Sequence, residues 1–299
     1  MLQNSNLVKH TIIDKIETVP NFHKFVVYEP VIAKKVQPGQ FMLVMACDRS
    51  ERIPLTFADW DAEKGTVTFI VQEVGLSTTK MAFMNKGDKF YSIVGPLGNP
   101  VILDNYGTVV LGGGCFGTAA IYPIAKAMKA LGNTVISVVE GKNADMLYFD
   151  ERLREISDEV IFATYDGSLG ANGYIYDIIE KFIKNKRHID HIKVIGCNLM
   201  MSKVAEVTRE QEIPTYASVT TIMVDGTGMC GACRLTYDNK TKFACVDGPE
   251  FDAHKVDWDE LIRVRKTGYI PEEAFVYQSF SPECRALTKY RKQNEEDHY

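Results

Sequence analysis

Two periods of apolar residues divide the chain. Between residues 7 and about 100, short β-branched and aromatic runs recur, among them Lys24-Phe25-Val26-Val27-Tyr28, Phe41-Met42-Leu43-Val44-Met45 and Thr66-Val67-Thr68-Phe69-Ile70-Val71. The turn-forming stretches Gln37-Pro38-Gly39, Lys64-Gly65 and Lys86-Gly87-Asp88 separate such runs, and this pattern predicts an antiparallel β-barrel or sandwich. Past Gly95-Pro96-Leu97-Gly98-Asn99-Pro100 the period lengthens. The strand-like Thr108-Val109-Val110-Leu111 runs into glycines, after which Ile121, Ile124, Ala125, Met128 and Leu131 repeat at helical spacing up to Gly132-Asn133. Strands at 135–139, 160–163 and 192–196 then alternate with helices near 174–186 and from Met200 to about Arg209. That alternation predicts a parallel sheet with helices on both faces. Beyond Ser218 the chain turns Gly- and Cys-rich as far as Asp252, and from 259 it is charged and loosely amphipathic. The expected units are therefore 1–102 (β-barrel), 103–218 (α/β), 219–258 (cysteine segment) and 259–299, the last read either as a partner-docking arm or as a frayed end.

Composition narrows the function. The 299 residues are 45% hydrophobic and 24% charged with a net charge of −5, and they carry no basic stripe, which argues against a nucleic-acid surface or a polybasic membrane patch. The first residues lack the apolar core of a signal peptide, and no run approaches the ~18 apolar residues of a membrane span, so a cytoplasmic location is expected. Seven cysteines is an odd number, and Cys230, Cys233 and Cys245 are clustered; a ligand set fits this better than a disulfide scaffold. Among the six histidines only His188 and His191 have metal-like spacing, and their charged turn suggests that both are solvated.

Three stretches carry chemistry. Gly112-Gly113-Gly114-Cys115-Phe116-Gly117-Thr118 joins a strand to a helix, where a pyrophosphate meets free N–H groups and a positive dipole end; the alternative is a tight turn without a ligand. Gly167, Gly170 and Gly173, and then Gly196-Cys197-Asn198, place small residues at further strand ends, as a dinucleotide lying across the sheet requires. Glu140 ends the second strand of this unit. A carboxylate there accepts from ribose hydroxyls and repels a 2′-phosphate, favouring NAD over NADP; Lys142 pairing with that phosphate, or a solvated Glu140, are the other readings. In the β unit, Arg52-Ile53-Pro54-Leu55-Thr56 and Gly75-Leu76-Ser77-Thr78-Thr79 offer a guanidinium fork and hydroxyls beside a glycine for a second phosphate group; the alternative is a turn and an exposed cap without a ligand. The third stretch is the most specific: Asp225, Cys230, Cys233 and Cys245 stand in the pattern D-x4-C-x2-C-x11-C, with glycines at 226, 228 and 231. It differs from plant-type ferredoxin ligation chiefly in the aspartate at the first position, so a [2Fe-2S] cluster fits it, with zinc or a metal-free turn as alternatives.

Taken in order, R-x-P-L-T, G-P-L-G-N, a glycine-rich nucleotide unit and a cysteine cluster resemble the ferredoxin-NADP reductase superfamily. Within it the chain looks like the electron-transfer subunits of dihydroorotate dehydrogenase B and, more closely, the small subunits of NADH-dependent reduced ferredoxin:NADP oxidoreductase, which share the aspartate. The resemblance implies FAD on Arg52, Pro54, Leu55 and Thr56, with Gly75, Ser77, Thr78 and Thr79 at its diphosphate. It implies NAD(H), with NADP(H) second, on Gly112, Gly113, Gly114, Gly117 and Thr118 and on the Asp166-Gly167-Ser168 loop; the residues themselves place Glu140, Gly196 and Cys197 at the border of that site, although Gly196-Cys197-Asn198 departs from the family's usual Gly-Pro segment. Asp225, Cys230, Cys233 and Cys245 then hold a [2Fe-2S] cluster. No side chain is assigned as general acid or base, and the implied partner is a larger flavin and iron–sulfur catalytic subunit.

Overall fold

The computed structural model describes residues 7–48 and 50–264. The expected extension from 259 is thus seen only as far as a short π-helical turn at Glu260–Val264, and the rest of it lies outside the described residues.

The first hundred residues build β1 (Ile12–Val19), β2 (Phe22–Tyr28), β3 (Phe41–Met45), β4 (Ile53–Thr56), β5 (Asp59–Asp61), β6 (Thr66–Gln72) and β7 (Ser92–Leu97), with helices α1 (Pro30–Ala33) and α2 (Leu76–Phe83) between them. The strands pair antiparallel in the orders β1-β2-β6-β5 and β4-β3-β7. Alternation along them sends Phe25 and Val27, then Val67, Phe69 and Val71, into one core, where the rings of Phe25, Phe69 and Phe90 lie 5.5–5.8 Å apart. Each such buried ring contributes roughly 1.5–3 kcal/mol relative to exposure.

The second unit runs β8 (Thr108–Gly114), α3 (Gly117–Ala130), β9 (Thr134–Gly141), α4 (Asp150–Ile156), β10 (Glu159–Thr164), β11 (Ala171–Asn172), α5 (Ile175–Lys184), β12 (His191–Ile195), α6 (Asn198–Arg209) and β13 (Thr215–Ser218). Gly132, at φ 86°, turns the chain out of α3 where the sequence predicts the stop. Helices α3 and α4 pack on Val109, Leu111, Val135 and Val139, while α5 and α6 pack on Val110, Ile136, Val138 and Val194. One layer of helices therefore covers each face of the sheet, as the strand–helix alternation predicts.

The cysteine segment contributes the hairpin β14 (Arg234–Tyr237) and β15 (Lys240–Phe243), then α7 (Ala244–Asp247) and β16 (Glu250–Asp252). Asp238 and Asn239 both take positive φ at the hairpin tip, a conformation that Asp and Asn tolerate better than most residues. Strand β16 pairs antiparallel with β13, so the large sheet has the order β11-β10-β9-β8-β12-β13-β16. The same segment buries Leu235, Ala244 and Phe251 against Phe41 and Leu43 of β3. It is thus attached both to the barrel and to the parallel sheet. Barrel and sheet also meet directly: Phe22, Ala58 and Ile70 pack on Ala119 and Tyr148, and Arg152, stacked 4.1 Å over Tyr122, pairs with Asp59.

One histidine expectation is corrected. His188 is exposed and pairs with Asp190, but His191 opens β12 and is 4% exposed, held between Tyr106 (ring centroids 4.0 Å apart) and Tyr216 (5.0 Å). Burial and nearby Lys193 push its imidazole down to about 4, so it is neutral at pH 7. Lys193 itself is buried, and its Nζ donates to both oxygens of Glu250 on β16 at 2.9 and 2.8 Å. Lys193→Met leaves that carboxylate buried without its cation and is expected to cost about 3–5 kcal/mol in denaturant unfolding, most of it regained in Lys193→Met/Glu250→Leu. Equal losses in the single and double variants would show that the pair is not what stabilises this junction. No helix among the described residues is long and apolar enough to cross a membrane.

Candidate functional site

The cysteine loop is shaped by its glycines. Gly226, Gly228 and Gly231 all have φ between 68° and 84°, and a Cβ on Gly226 would stand 2.7 Å from Leu97 and 3.1 Å from Leu43, so the loop presses onto β3 and β7. Asp225 Oδ1 accepts from the Thr227 N–H (2.8 Å) and Oδ2 from the Cys230 N–H (2.7 Å); these donors hold its carboxyl below the usual range. Cys233 and Cys245 are buried with their Sγ atoms 3.2 Å apart, whereas Cys230 is exposed. Burial, with the adjacent Cys233 thiol, pushes the Cys245 thiol up to about 12, so its proton leaves when a metal takes the sulfur. Among the described residues no three His, Cys, Asp or Glu side chains converge on one point. The structure therefore gathers one contact pair of thiols, a third thiol at the surface, and an aspartate that binds the third residue's backbone. Three thiols and a carboxylate, from the glycine-rich loop and from Cys245 on α7, are a donor set that suits an iron–sulfur cluster.

A second site lies where the strand order reverses. The chain leaves β8 toward β9 and β10 on one side and returns through β12 toward β13 on the other, opening a crevice at the carboxyl ends of β8 and β12. The glycines of this turn are required by the protein's own packing. A Cβ on Gly117 would stand 1.9 Å from the Ile195 carbonyl oxygen, one on Gly113 2.8 Å from Thr118 Cα, and one on Gly112 2.9 Å from Val194. Close helix–strand packing results, and it aims the first turn of α3 along the crevice. Cys115 occupies the turn at φ 48°, its carbonyl accepting from the Tyr148 hydroxyl at 2.8 Å. Across the crevice, Cys197 caps α6, and burial raises the Cys115 thiol to about 12 and the Cys197 thiol to about 11, so both are neutral. Asn198, named in the sequence only as part of the Gly196-Cys197-Asn198 strand end, is buried and bonds the Thr220 carbonyl and N–H at 2.8 and 3.0 Å, tying the crevice to the cysteine loop. Asp166 accepts from the Ser168 N–H and hydroxyl, and that hydroxyl accepts from the Ala144 N–H, closing an exposed loop at the crevice edge.

Glu140 is a correction. The ribose reading needs a carboxylate facing the ligand, yet Glu140 is 2% exposed and both its oxygens are bonded inward, to the Ile175 N–H and the Tyr165 hydroxyl. The register explains this: on β9 the inward positions facing α5 run Ile136, Val138, Glu140, so a side chain two residues on shares their face.

The barrel supplies a third site. Strand β4, which carries Pro54, Leu55 and Thr56, is a half-buried edge strand paired to β3, Phe41 opposite Thr56 and Leu43 opposite Pro54, and Arg52 just before it is exposed. At the N-terminus of α2 the Thr78 hydroxyl accepts from the Val74 and Gly75 N–H groups and Thr79 donates to Glu73, so these hydroxyls serve the turn itself; Ser77 is buried. Gly75 has an extended φ of −165°, and a Cβ there would meet nothing within 4 Å. Neither backbone conformation nor packing requires a glycine at 75, and it opens onto free space beside the N-terminus of α2, a helix end that suits a phosphate.

Other proteins share this fold. A cytochrome P450 reductase of Amycolatopsis, 19% identical, superposes with a TM-score of 0.60 over 69% of this chain and 66% of its own, a likeness of fold. Residues 220–257 match the family described as the iron-sulfur cluster binding domain of dihydroorotate dehydrogenase B. Fold and site thus define a ferredoxin-reductase-like electron carrier with an iron–sulfur segment. The dihydroorotate dehydrogenase B (NAD(+)) electron transfer subunit homologue of Thermotoga maritima is 41% identical over 269 residues, 90% of this chain and 94% of the relative. A chain in the solved structure of an NADH-dependent reduced ferredoxin-NADP oxidoreductase, described for flavin-based electron bifurcation, is 39% identical with a TM-score of 0.83, over 92% of this chain and 99% of its own. The chain belongs to the family of dihydroorotate dehydrogenase B electron transfer subunits.

Proposed function

We propose that this chain moves electrons between NAD(H), an FAD on the barrel and a [2Fe-2S] cluster on the cysteine loop, to or from a larger flavin and iron–sulfur subunit. The observation that carries this reading is the double attachment of the cysteine loop. It packs on β3, the hydrogen-bonded neighbour of the proposed flavin strand β4, and its return strand extends the proposed nucleotide sheet. Three binding regions built on shared strands suit electron transfer over short distances. The functional units follow as 1–102 for flavin, 103–218 for nucleotide and 219–258 for the cluster.

Flavin, when bound, supplies the exchange between two-electron and one-electron chemistry. The chain's own residues hold and orient. Arg52 and the N–H groups after Gly75 bind the diphosphate; Pro54, Leu55 and Thr56 line the ring's strand. The turn from Gly112 to Thr118 and the 166–168 loop take the dinucleotide, with Gly196 and the neutral Cys197 at the crevice wall. Asp225 with Cys230, and Cys233 with Cys245, form two ligand pairs, the number that a two-iron cluster requires. Ile222, Val224, Met229 and Val246 are exposed around the loop, Met229 by 88%, an apolar rim for a partner subunit to cover. The aspartate at 225 favours a partner of the ferredoxin:NADP oxidoreductase kind over a dihydroorotate dehydrogenase.

The test is an anaerobic visible spectrum with iron and sulfide assays, before and after NADH and then NADPH. Flavin bands, about two irons per chain and bleaching by NADH in preference to NADPH are expected; a colourless chain that holds zinc would refute the reading. Asp225→Cys replaces a hard oxygen by a softer, more covalent thiolate, so it should change the cluster's spectrum and midpoint potential while leaving iron content intact. An unaltered redox titration would show that Asp225 only caps its loop.

A further inference from the structure

Behind the crevice lies a carboxylate that the proposed chemistry does not use. Glu140 Oε2 accepts from the Ile175 N–H at 2.8 Å and Oε1 from the Tyr165 hydroxyl at 3.2 Å. A Cβ placed on Gly114 would stand 2.8 Å from Oε1, so only the bare backbone of that glycine separates the carboxylate from the turn between β8 and α3. The ionisable groups facing it are Tyr165 beyond β10, Cys115 beyond β8, Cys197 beyond β12, and Asp177 and Tyr176 of α5. None of these carries positive charge; the favourable contributions are the Ile175 N–H at the N-terminus of α5 and the Tyr165 hydroxyl. Burial in such surroundings raises the Glu140 carboxyl to about 7, so near neutral pH it exists in both forms.

A pyrophosphate on the turn brings negative charge to the other side of the same glycine. Resting on the reading of this turn as the dinucleotide site, we propose that Glu140 takes up one proton from solvent when a dinucleotide binds, coupling nucleotide affinity to pH through a single carboxyl. The hydrogen-bond network tolerates the change. A protonated carboxyl still accepts from the Ile175 N–H through one oxygen, and the Tyr165 hydroxyl accepts as readily as it donates.

The direction follows from linkage. The bound anion raises the pKa of Glu140 above its value in the free chain. Below the free value the carboxyl is already neutral and affinity is greatest. Between the free and bound values each binding event must draw a proton, and Kd rises by up to about tenfold per pH unit. Above the bound value it levels off.

The experiment is calorimetric titration of the FAD- and cluster-loaded full-length chain with ADP-ribose, which carries the pyrophosphate without reducing the flavin. It is run at about pH 6 and about pH 8.5, in buffers of different ionisation enthalpy. Wild type should show a heat that depends on the buffer, reporting proton uptake, and roughly tenfold weaker binding at the higher pH. Glu140→Gln should bind without either dependence. Tyr165→Phe, which removes one donor from the carboxylate, should move the midpoint upward. Binding by wild type with pH-independent Kd and no buffer effect overturns the proposal while leaving the nucleotide site standing, as does full retention of the wild-type pH dependence in Glu140→Gln. No binding of ADP-ribose at any pH overturns the nucleotide reading itself, and the proposal with it.

Discussion

A Cys245→Ser chain should purify with flavin that NADH still bleaches, but with almost no iron. Cys245 is buried and in contact with Cys233, and a serine oxygen in its place is both harder and far less acidic than the thiolate it would have to replace. Removing groups that merely orient ligands typically costs about 10- to 100-fold in metal affinity, and removing a ligand costs more. Reduction of a one-electron acceptor should fall with the iron, while hydride uptake, followed as flavin bleaching, should hold near the wild-type rate. Iron and sulfide assays beside the two rates check this. Full iron content would mean that Cys245 is a packing residue of the loop.

The second large effect is steric. Gly117→Ala puts a methyl group 1.9 Å from the Ile195 carbonyl oxygen and 2.5 Å from its carbon, and backbone cannot yield as a side chain does. Helix α3 must move off β12, which should cost about 3 kcal/mol or more, a fall of roughly 6–12 °C in Tm for a unit of this size, together with loss of ADP-ribose binding. Gly75→Ala is the matched control. Its methyl group enters open space on an extended backbone, so Tm should hold within about a degree while FAD dissociates more readily. Thermal melts and flavin retention on a desalting column separate the two. Equal melting points for wild type and Gly117→Ala would refute the steric account.

Long periodic segments were legible in the sequence because burial on one face leaves a repeat. Thr66–Gln72 and Gly117–Ala130 coincide closely with their expected places. Elements too short to show a period escaped. Helix α4 buries only Leu153, β11 has two residues and β16 three, so none imprints an alternation. The cysteine spacing was readable because the ligand types are rare and close together. What Asp225 binds was not, since a carboxylate looks the same whether it faces a metal or its own loop's N–H groups. Glu140 was misread for a different reason: a charged residue at a strand end suggests solvent, yet two positions before it Val138 already faced α5. His191 shows the same effect, its solvated-looking sequence neighbours hiding two tyrosines that are distant along the chain.

The seventh strand of the large sheet has a consequence for how such chains are assembled. Without β16, Thr215–Ser218 would present a row of free N–H and C=O groups to any extended segment it met, a template for aggregation. The iron–sulfur segment is thus also the guard of that margin. A reductase of this fold that lacked the segment would need another cover for β13, and a chain cut after Ser218 would lose its solubility along with its iron–sulfur segment.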